Sequence, residues 1–344
     1  MKASIIIPTA GTKIDYLLGT LRSIEKQEFP KNEYEILVVD NNPHNVISRE
    51  IEEFNRGSNG SVRYIREARQ GATEARHAGA QAALGEILVY TDDDVIVSKN
   101  WLSSLLEPFE DPQVGCAGGK TIPQWDVPVP EWFSELKHMA FGMLDLGDTR
   151  LELKGCQIWS NNLAVRKSVL YEVGGYNPDI YGAGTNGRIW YTGDGECGLE
   201  EKILKHGYKL IYEPKAWIYH RVSAARTTKE YFYKRSFVSA IGSSYAQIRK
   251  MKNEKFFALK LLARAGYYFL KSGIFYMKSL MILSGRLKTM TRACHYYAKA
   301  NHQLRAAFSK KLRGHIFQES YLKENETGRF AAVSSFKYQD KNDE

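Results

Sequence analysis

The sequence predicts an α/β fold with a mixed, mainly parallel sheet flanked by helices and continued by a basic helical region, and three observations carry that prediction. Short apolar runs alternate with helix-periodic segments through the first half of the chain, the pattern of βαβ units. A polar residue stands just beyond three of these runs, at Thr9, Asp40 and Asp92, which is where open α/β sheets gather their ligands. Lysine and arginine then accumulate after Arg221, with no proline from Lys215 onward, as uninterrupted helices require.

Taken in order, Ser4 to Pro8 reads as a buried first strand that Pro8 should stop, with Thr9, Ala10 and Gly11 as the loop at its end. Leu17, Leu18, Leu21 and Ile24 form one face of a helix from Ile14 to Glu28. Tyr34 to Val39 is a second strand, closed by the turn formers Asp40, Asn41, Asn42 and Pro43. A helix is expected from Val46 to Phe54, a strand from Val62 to Ile65 and an alanine-rich helix from Thr73 to Leu84. Glu86 to Tyr90 is the fourth strand, and Thr91 to Asp94 cap it.

From Val114 the glycines 115, 118 and 119 and the prolines 123, 128 and 130 suggest turns. Trp125, Trp132, Phe133, Phe141 and Trp159 give that stretch an aromatic character, suited to a core or to stacking on a sugar ring. Short helices are expected from Lys167 to Val173, stopped by Gly174 and Gly175, and from Leu199 to His206, stopped by Gly207. Two strands, Leu210 to Tyr212 and Ala216 to His220, flank Pro214. The expected organisation is a catalytic domain over 1–230, a basic amphipathic helical region over 231–318 and a polar, disordered tail over 319–344.

With 344 residues, 43% of them hydrophobic and 25% charged, the chain has the composition of a globular protein. No export signal is read at the N-terminus, because the apolar run Ile5 to Ile7 ends at Pro8. Cys116, Cys156, Cys197 and Cys294 show no C-x-x-C pairing, so semi-buried thiols in a reducing cytoplasm are expected. The net charge of +9 is unevenly placed. Arg221 to His315 holds 21 lysines and arginines against Glu230 and Glu254, while the remainder is acidic overall. Such a region can face nucleic acid or an anionic membrane. Lysines and arginines interrupt each apolar window after Phe256, so a spanning helix is not expected.

The run Asp92, Asp93, Asp94 is the strongest chemical signal. Carboxylates at the end of a buried strand need a cation or hydrogen bonds to offset desolvation, and alternate members of the run can reach one hard divalent ion. An N-cap for the following helix, Asn100 to Leu106, needs only one of them.

The combination of Ile5 to Thr9, Leu37 to Asn41, Gly71, Ala72, Ala75, Arg76, Gly79 and Thr91 to Asp94 resembles family 2 glycosyltransferases of the GT-A (Rossmann-like) fold. The likeness continues through Gly193 to Glu196 and on to Gly207, Tyr208, Pro214, Ala216 and His220, covering about residues 1 to 240. It implies a metal-dependent, inverting transferase that moves a sugar from a nucleotide diphosphate donor, a UDP-sugar being expected, to an acceptor hydroxyl in polysaccharide, glycan or glycolipid synthesis. It places Pro8, Thr9 and Gly11 near the base, Asp40 on its ring, and Gly71 and Asp93 in the donor site. Asp92 then touches ribose or metal, and Asp94 ligates Mg²⁺ or Mn²⁺ across the diphosphate.

Arg69 and Arg76 are candidates to neutralise the phosphates, although Arg76 can instead pair with Glu74. The family's Glu-Asp motif ahead of a glycine like Gly207 falls on Gly195 and Glu196, a departure from the pattern. Glu196 is therefore the expected base, with Asp194 in reserve. His220 is a metal ligand or a structural histidine at a strand end. Trp159, Ser160, Asn161 and Asn162 resemble the border of the acceptor pocket, though structural asparagine turns would look the same.

The expected partners are the nucleotide sugar and a sugar or lipid-linked acceptor. The basic helices either pack on the catalytic domain or rest on an anionic membrane, which gives a cytoplasmic location, peripheral to the inner face of the membrane. Two other classes fit the sequence less well. A nucleotidyltransferase normally has a glycine-rich, lysine-containing loop after its first strand, and Thr9 to Lys13 is too poor in glycine. A non-catalytic basic binding protein is disfavoured because no nucleic-acid module appears.

Overall fold

The computed structural model describes residues 1–42, 46–58, 62–136, 142–178, 192–282, 285–324 and 330–332. Pro43 and Phe141, named above, lie outside these residues, as do 325–329 and 333–344 of the tail.

The central sheet is built from β1 (Ala3–Thr9), β2 (Tyr34–Asp40), β3 (Val62–Arg66), β4 (Ile87–Thr91), β5 (Val95–Val97), β6 (Val114–Trp125), β7 (Leu151–Leu153), β8 (Asn162–Arg166) and β9 (Lys209–Val222). Its order is β3-β2-β1-β4-β8-β6-β9-β5, with β7 added on β9. The half β3-β2-β1-β4 is parallel. Beyond β4 the sheet is mixed: β8 runs antiparallel to β4 and β6, β6 and β9 run parallel, and β5 and β7 run antiparallel to β9.

Alternation along the strands feeds two cores, as it must in a sheet covered on both faces. Ile5 and Ile7 pack with Leu17, Leu21 and Ile24 of α1 (Ile14–Glu25), Ile51 of α2 (Ser48–Arg56) and Trp101 of α4 (Trp101–Leu106). Ile6, Leu37 and Val39 face the other way. They meet Ala75 and Ala78 of α3 (Ala72–Ala82), Val169 and Leu170 of α5 (Lys167–Glu172), and Leu199 and Ile203 of α6 (Gly195–Lys205).

Three local expectations are corrected. Pro8 does not end β1, because the ladder to β4 stops at Ile6 and Tyr90 while pairing to β2 continues to Thr9 and Asp40. The glycines after Val114 are strand residues rather than turns. A Cβ on Gly119 would stand 1.7 Å from the carbonyl oxygen of Ala216, so only glycine lets β6 approach β9 there. Lys209–Val222 is one strand through Pro214, and the break expected at that proline appears as a shift in register between the pairs Gly119–Glu213 and Thr121–Ile218.

Beyond β9 follow α7 (Lys229–Arg249), α8 (Phe257–Met281), α9 (Arg286–Phe308) and α10 (Lys310–Ile316). Tyr245 and Ile248 of α7, Leu261 of α8, Ala306 and Ala307 of α9, and Leu312 and Ile316 of α10 share one apolar cluster. Trp125, Trp132 and Phe133 join Val222 and Phe232 in another, so these aromatics form a core that ties the helices to the sheet. No helix among the described residues is long and apolar enough to cross a membrane.

The chain does not turn to disorder at residue 319. The backbone N–H groups of Tyr321 and Leu322 donate to the carbonyl of Gly174, Leu322 is buried in the second core, and β10 (Leu322–Glu324) pairs with β11 (Phe330–Ala332). Cys156 and Cys197 are joined as a disulfide with their Cα atoms 4.8 Å apart, against the expectation of four free thiols; Cys116 and Cys294 are free.

Candidate active site

The C-terminal rim of the parallel half carries the polar strand ends together, since Thr9 and Asp40 are register partners. β4 ends at Thr91, the chain turns through Asp92, Asp93 and Asp94, and β5 leaves toward β9. Pairing of β5 with β9 sets Val95 opposite His220 and so delivers the histidine to the acidic turn. Oxygens of Asp92 and Asp94 and a ring nitrogen of His220 all lie within 4.8 Å of one another. His220 Nε2 is 3.3 Å from Asp94 Oδ1. Asp94 Oδ1 and His220 Nδ1 are buried with no hydrogen-bond partner among the described residues.

Two arginines bracket this cluster. Arg226, in the short 3-10 turn after β9, sets one nitrogen 3.1 Å from Asp94 Oδ2 and another 3.1 Å from His220 Nε2. Arg76, from α3, stands 3.9 Å from Asp92 Oδ1 and 5.5 Å from the centre of the Tyr176 ring. The alternative pairing of Arg76 with Glu74 is not formed, for Glu74 binds Arg69 at 2.9 Å.

Electrostatics separate the three aspartates. Desolvation by the surrounding protein raises the Asp92 carboxyl against the pull of Arg76. Burial and the neighbouring Asp94 push Asp93 up to about 7, while the Thr9 hydroxyl donates to it. Burial would raise Asp94 too, but His220 and Arg226 outweigh it and hold that carboxyl below its ordinary value. Two carboxylates and an imidazole form a donor set that suits a divalent cation accepting oxygen and nitrogen ligands.

The sequence profile of glycosyl transferase family 2 matches residues 4–174, the segment that builds the parallel half, the acidic turn and α5. Through that segment the chain belongs to glycosyl transferase family 2. Among curated relatives it is 24% identical over 246 residues to a glucosyl-dolichyl phosphate glucuronosyltransferase of Haloferax volcanii, covering 69% of this chain and 74% of the relative. It is 26% identical over 249 residues to N-acetylgalactosaminyltransferase 7 of Mus musculus, where it spans only 36% of the relative's length. A mannosyltransferase of Pyrobaculum calidifontis, solved with GDP-Man and Mn²⁺, has the same fold. That likeness has a TM-score of 0.56 at 17% identity, over 88% of this chain and 87% of the other. GalNAc-T7 solved with UDP, GalNAc and Mn²⁺ gives a TM-score of 0.51 at 18% identity, over 74% of this chain and 51% of that one. The fold is therefore that of GT-A glycosyltransferases.

Within this glycosyltransferase frame, several predicted residues stand near the cluster. Pro8 and Thr9 end β1 on the rim. Gly11 takes a positive φ of 62°, and its N–H donates to the Thr9 hydroxyl. Gly71 caps α3 at a φ of 134° and donates to the Asn41 side chain. Glu196 is half-buried in the first turn of α6. Its charge reaches the Tyr176 hydroxyl, which burial pushes far above its ordinary value and Arg76 lowers in part. Arg76 thus links Asp92 to the Tyr176 ring.

Others are turned inward. Asp40 is fully buried, with its oxygens engaged by Arg66 at 2.9 Å, the Tyr64 hydroxyl at 2.7 Å and the backbone N–H groups of Asn42 and Ile47. Those four contacts fill the acceptor capacity of a carboxylate, so Asp40 holds the rim together instead of presenting a free acceptor to a base. Arg69 closes its fork on Glu67 and binds Glu74, so three of its five N–H donors are taken within the protein. Asp194 caps α6 in position, buried against Asn177 at 2.6 Å and Arg249 at 3.8 Å. Asn162 accepts from the Trp101 indole at 2.8 Å and donates to the carbonyls of Lys120 and Ala216. It is a core residue with no amide group left for an acceptor. Asn161 is also buried, its backbone carbonyl accepting from the Thr91 hydroxyl, while the Trp159 indole donates to the Met143 carbonyl.

Sequence reasoning missed Arg226. The available signal was a basic residue six positions after the strand-end histidine.

Proposed function

We propose that the chain is an inverting glycosyltransferase that moves a sugar from a nucleoside diphosphate sugar, with uridine the expected nucleoside, to an acceptor hydroxyl in polysaccharide, glycan or glycolipid synthesis. The meeting of Asp92, Asp94 and His220 between Arg76 and Arg226 carries the reading. Asp92, Asp94 and His220 would hold a Mg²⁺ or Mn²⁺ ion, which when bound supplies positive charge to a departing diphosphate. Arg76 and Arg226 offer forked donors for phosphate oxygens. Solved neighbours that contain Mn²⁺ with UDP or GDP-Man support a metal and a nucleotide in this fold.

Glu196 is the base in this scheme. Its place in the first turn of α6 favours a charged carboxylate, and the engagement of Asp194 by Asn177 and Arg249 favours Glu196 over that reserve. The acceptor oxygen forms its bond to the anomeric carbon as the bond to the diphosphate breaks, and the hydroxyl proton passes to Glu196. Alignment of the two reactants supplies much of the rest of the acceleration. A lipid-linked acceptor fits the Haloferax relative, whose name specifies a glucosyl-dolichyl phosphate.

The test is thermal stabilisation by UDP, GDP and CDP with and without Mn²⁺, followed by sugar transfer from the corresponding donors. Metal-dependent stabilisation by one nucleotide, with transfer lost in Asp94→Asn, is the expected result. Normal transfer by Asp94→Asn, or indifference to all three nucleotides in Mn²⁺, overturns the reading.

A further inference from the structure

α8 turns two opposite faces to different surroundings. Leu261, Ala265 and Ser279 are buried on the side toward the other helices. On the outer side Leu259, Leu270, Ile274, Met277 and Met281 remain 65%, 65%, 46%, 56% and 82% exposed. Positions 263, 266 and 273 complete that stripe with an exposed alanine and two exposed glycines. The steps from 259 through 263, 266, 270, 274 and 277 to 281 are of three or four residues, so the whole set lies along one face of the helix.

A basic flank accompanies it. Lys260, Arg264, Lys271 and Lys278 each directly follow a stripe residue, which rotates all four to the same side. No aspartate or glutamate occurs from Lys255 to Gln318; Glu254, just ahead of α8, binds Lys260 at 2.6 Å, so the net charge of the flank rests on Arg264, Lys271 and Lys278. The stripe is too interrupted by charge for a crossing helix. An outward apolar band with cations along its edge is the pattern of a helix lying in the plane of an anionic lipid surface.

We propose that the outer face of α8 seats the protein on an anionic membrane, with Leu259, Leu270, Ile274, Met277 and Met281 entering the interface and Lys260, Arg264, Lys271 and Lys278 pairing with headgroups. Charge complementarity selects lipid over a second copy. Two copies joined through this stripe would bring their basic flanks together with no acidic residue on α8 to offset them.

Co-sedimentation of the full chain with vesicles of phosphatidylcholine alone, or of phosphatidylcholine mixed with phosphatidylglycerol, tests this. Binding should appear with the mixed vesicles and weaken as salt rises. The double variant Lys260→Glu, Lys278→Glu should lower partitioning by about tenfold or more. Leu270→Glu with Met277→Glu should abolish it at unchanged circular dichroism, since both side chains are already exposed. Sedimentation of neither vesicle type, equal binding to both, or binding untouched by the variants overturns the proposal. So does a lipid-free dimer that Leu270→Glu dissociates. Nucleotide stabilisation measured on the same variants should match the parent, so failure here leaves the reading of the rim cluster standing.

Discussion

The Arg226 guanidinium sits 3.1 Å from Asp94 Oδ2 and, through its other nitrogen, 3.1 Å from His220 Nε2. A fixed cation therefore contacts the same two side chains that a divalent ion would use and offsets the charge of Asp94. Arg226 holds only Oδ2 of Asp94 and Nε2 of His220, so its positive charge opposes a divalent ion at the remaining Asp94 oxygen and, once the ion is bound, its fork can turn to phosphate. Arg226→Ala should tighten Mn²⁺ binding in the absence of nucleotide, yet lower transfer by about 10- to 100-fold through loss of a charged donor. Titration of Mn²⁺ into both proteins checks the first half. Unchanged Mn²⁺ affinity would show that Arg226 does not compete for the site.

Much of this rim was legible in the sequence, and what escaped did so for identifiable reasons. Ile5 to Ile7, Leu37 to Val39 and Leu88 to Tyr90 read as strands because both faces of their sheet are covered and the runs are continuously apolar. Thr9, Asp40 and the acidic turn were marked by standing at the ends of those runs. The route that brings His220 to Asp94 was not visible, since β5 is only three residues long and pairs with a strand far along the chain. Family resemblance places Asn162 at the acceptor border, whereas the gap between β6, β9 and α4 needs its three hydrogen bonds. Cys156 and Cys197 carry no spacing signal across 41 residues.

Asn162→Ala would leave the Trp101 indole and two backbone carbonyls without their partner inside the core. A loss of about 2–4 kcal/mol is expected from several unmet buried groups. Denaturant unfolding reads it, and acceptor KM measured on the surviving folded protein should stay near the parent value. A raised KM at undiminished stability would restore Asn162 to the acceptor site.

The Cys156–Cys197 link closes a loop of 41 residues between the segment before β8 and the first turn of α6. Its chain-entropy contribution is about 3–4 kcal/mol, equivalent to about 5 °C in Tm for a chain of this length. Alkylation in denaturant without reductant should label only Cys116 and Cys294, and added reductant should lower Tm and expose four thiols. Four reactive thiols before reduction would show that the pair is not joined in solution.

Glu200 makes the stability of the fold depend on pH. Burial pushes its carboxyl up to about 8 from an ordinary 4.5, although the N–H groups of Gln157 and Ile158 donate to it and pull it down. Between those two values the folded chain keeps a proton that the unfolded chain has released. Stability should therefore fall as pH rises through that window, by at most about 1.4 kcal/mol per pH unit. Lys202, two residues along α6, acts in the other direction at higher pH. Burial first, and then Arg249, lower its ammonium to about 7 from 10.5, so stability should rise with pH above about 7. Asp93, raised to about 7, adds to the same fall at lower pH, so Glu200→Gln should make the fall shallower, most clearly between pH 7 and 8, and leave the rising limb. Urea unfolding at intervals from pH 5 to 10 separates them, and a Glu200→Gln profile parallel to the parent's would mean that Glu200 is ionised in the folded protein throughout.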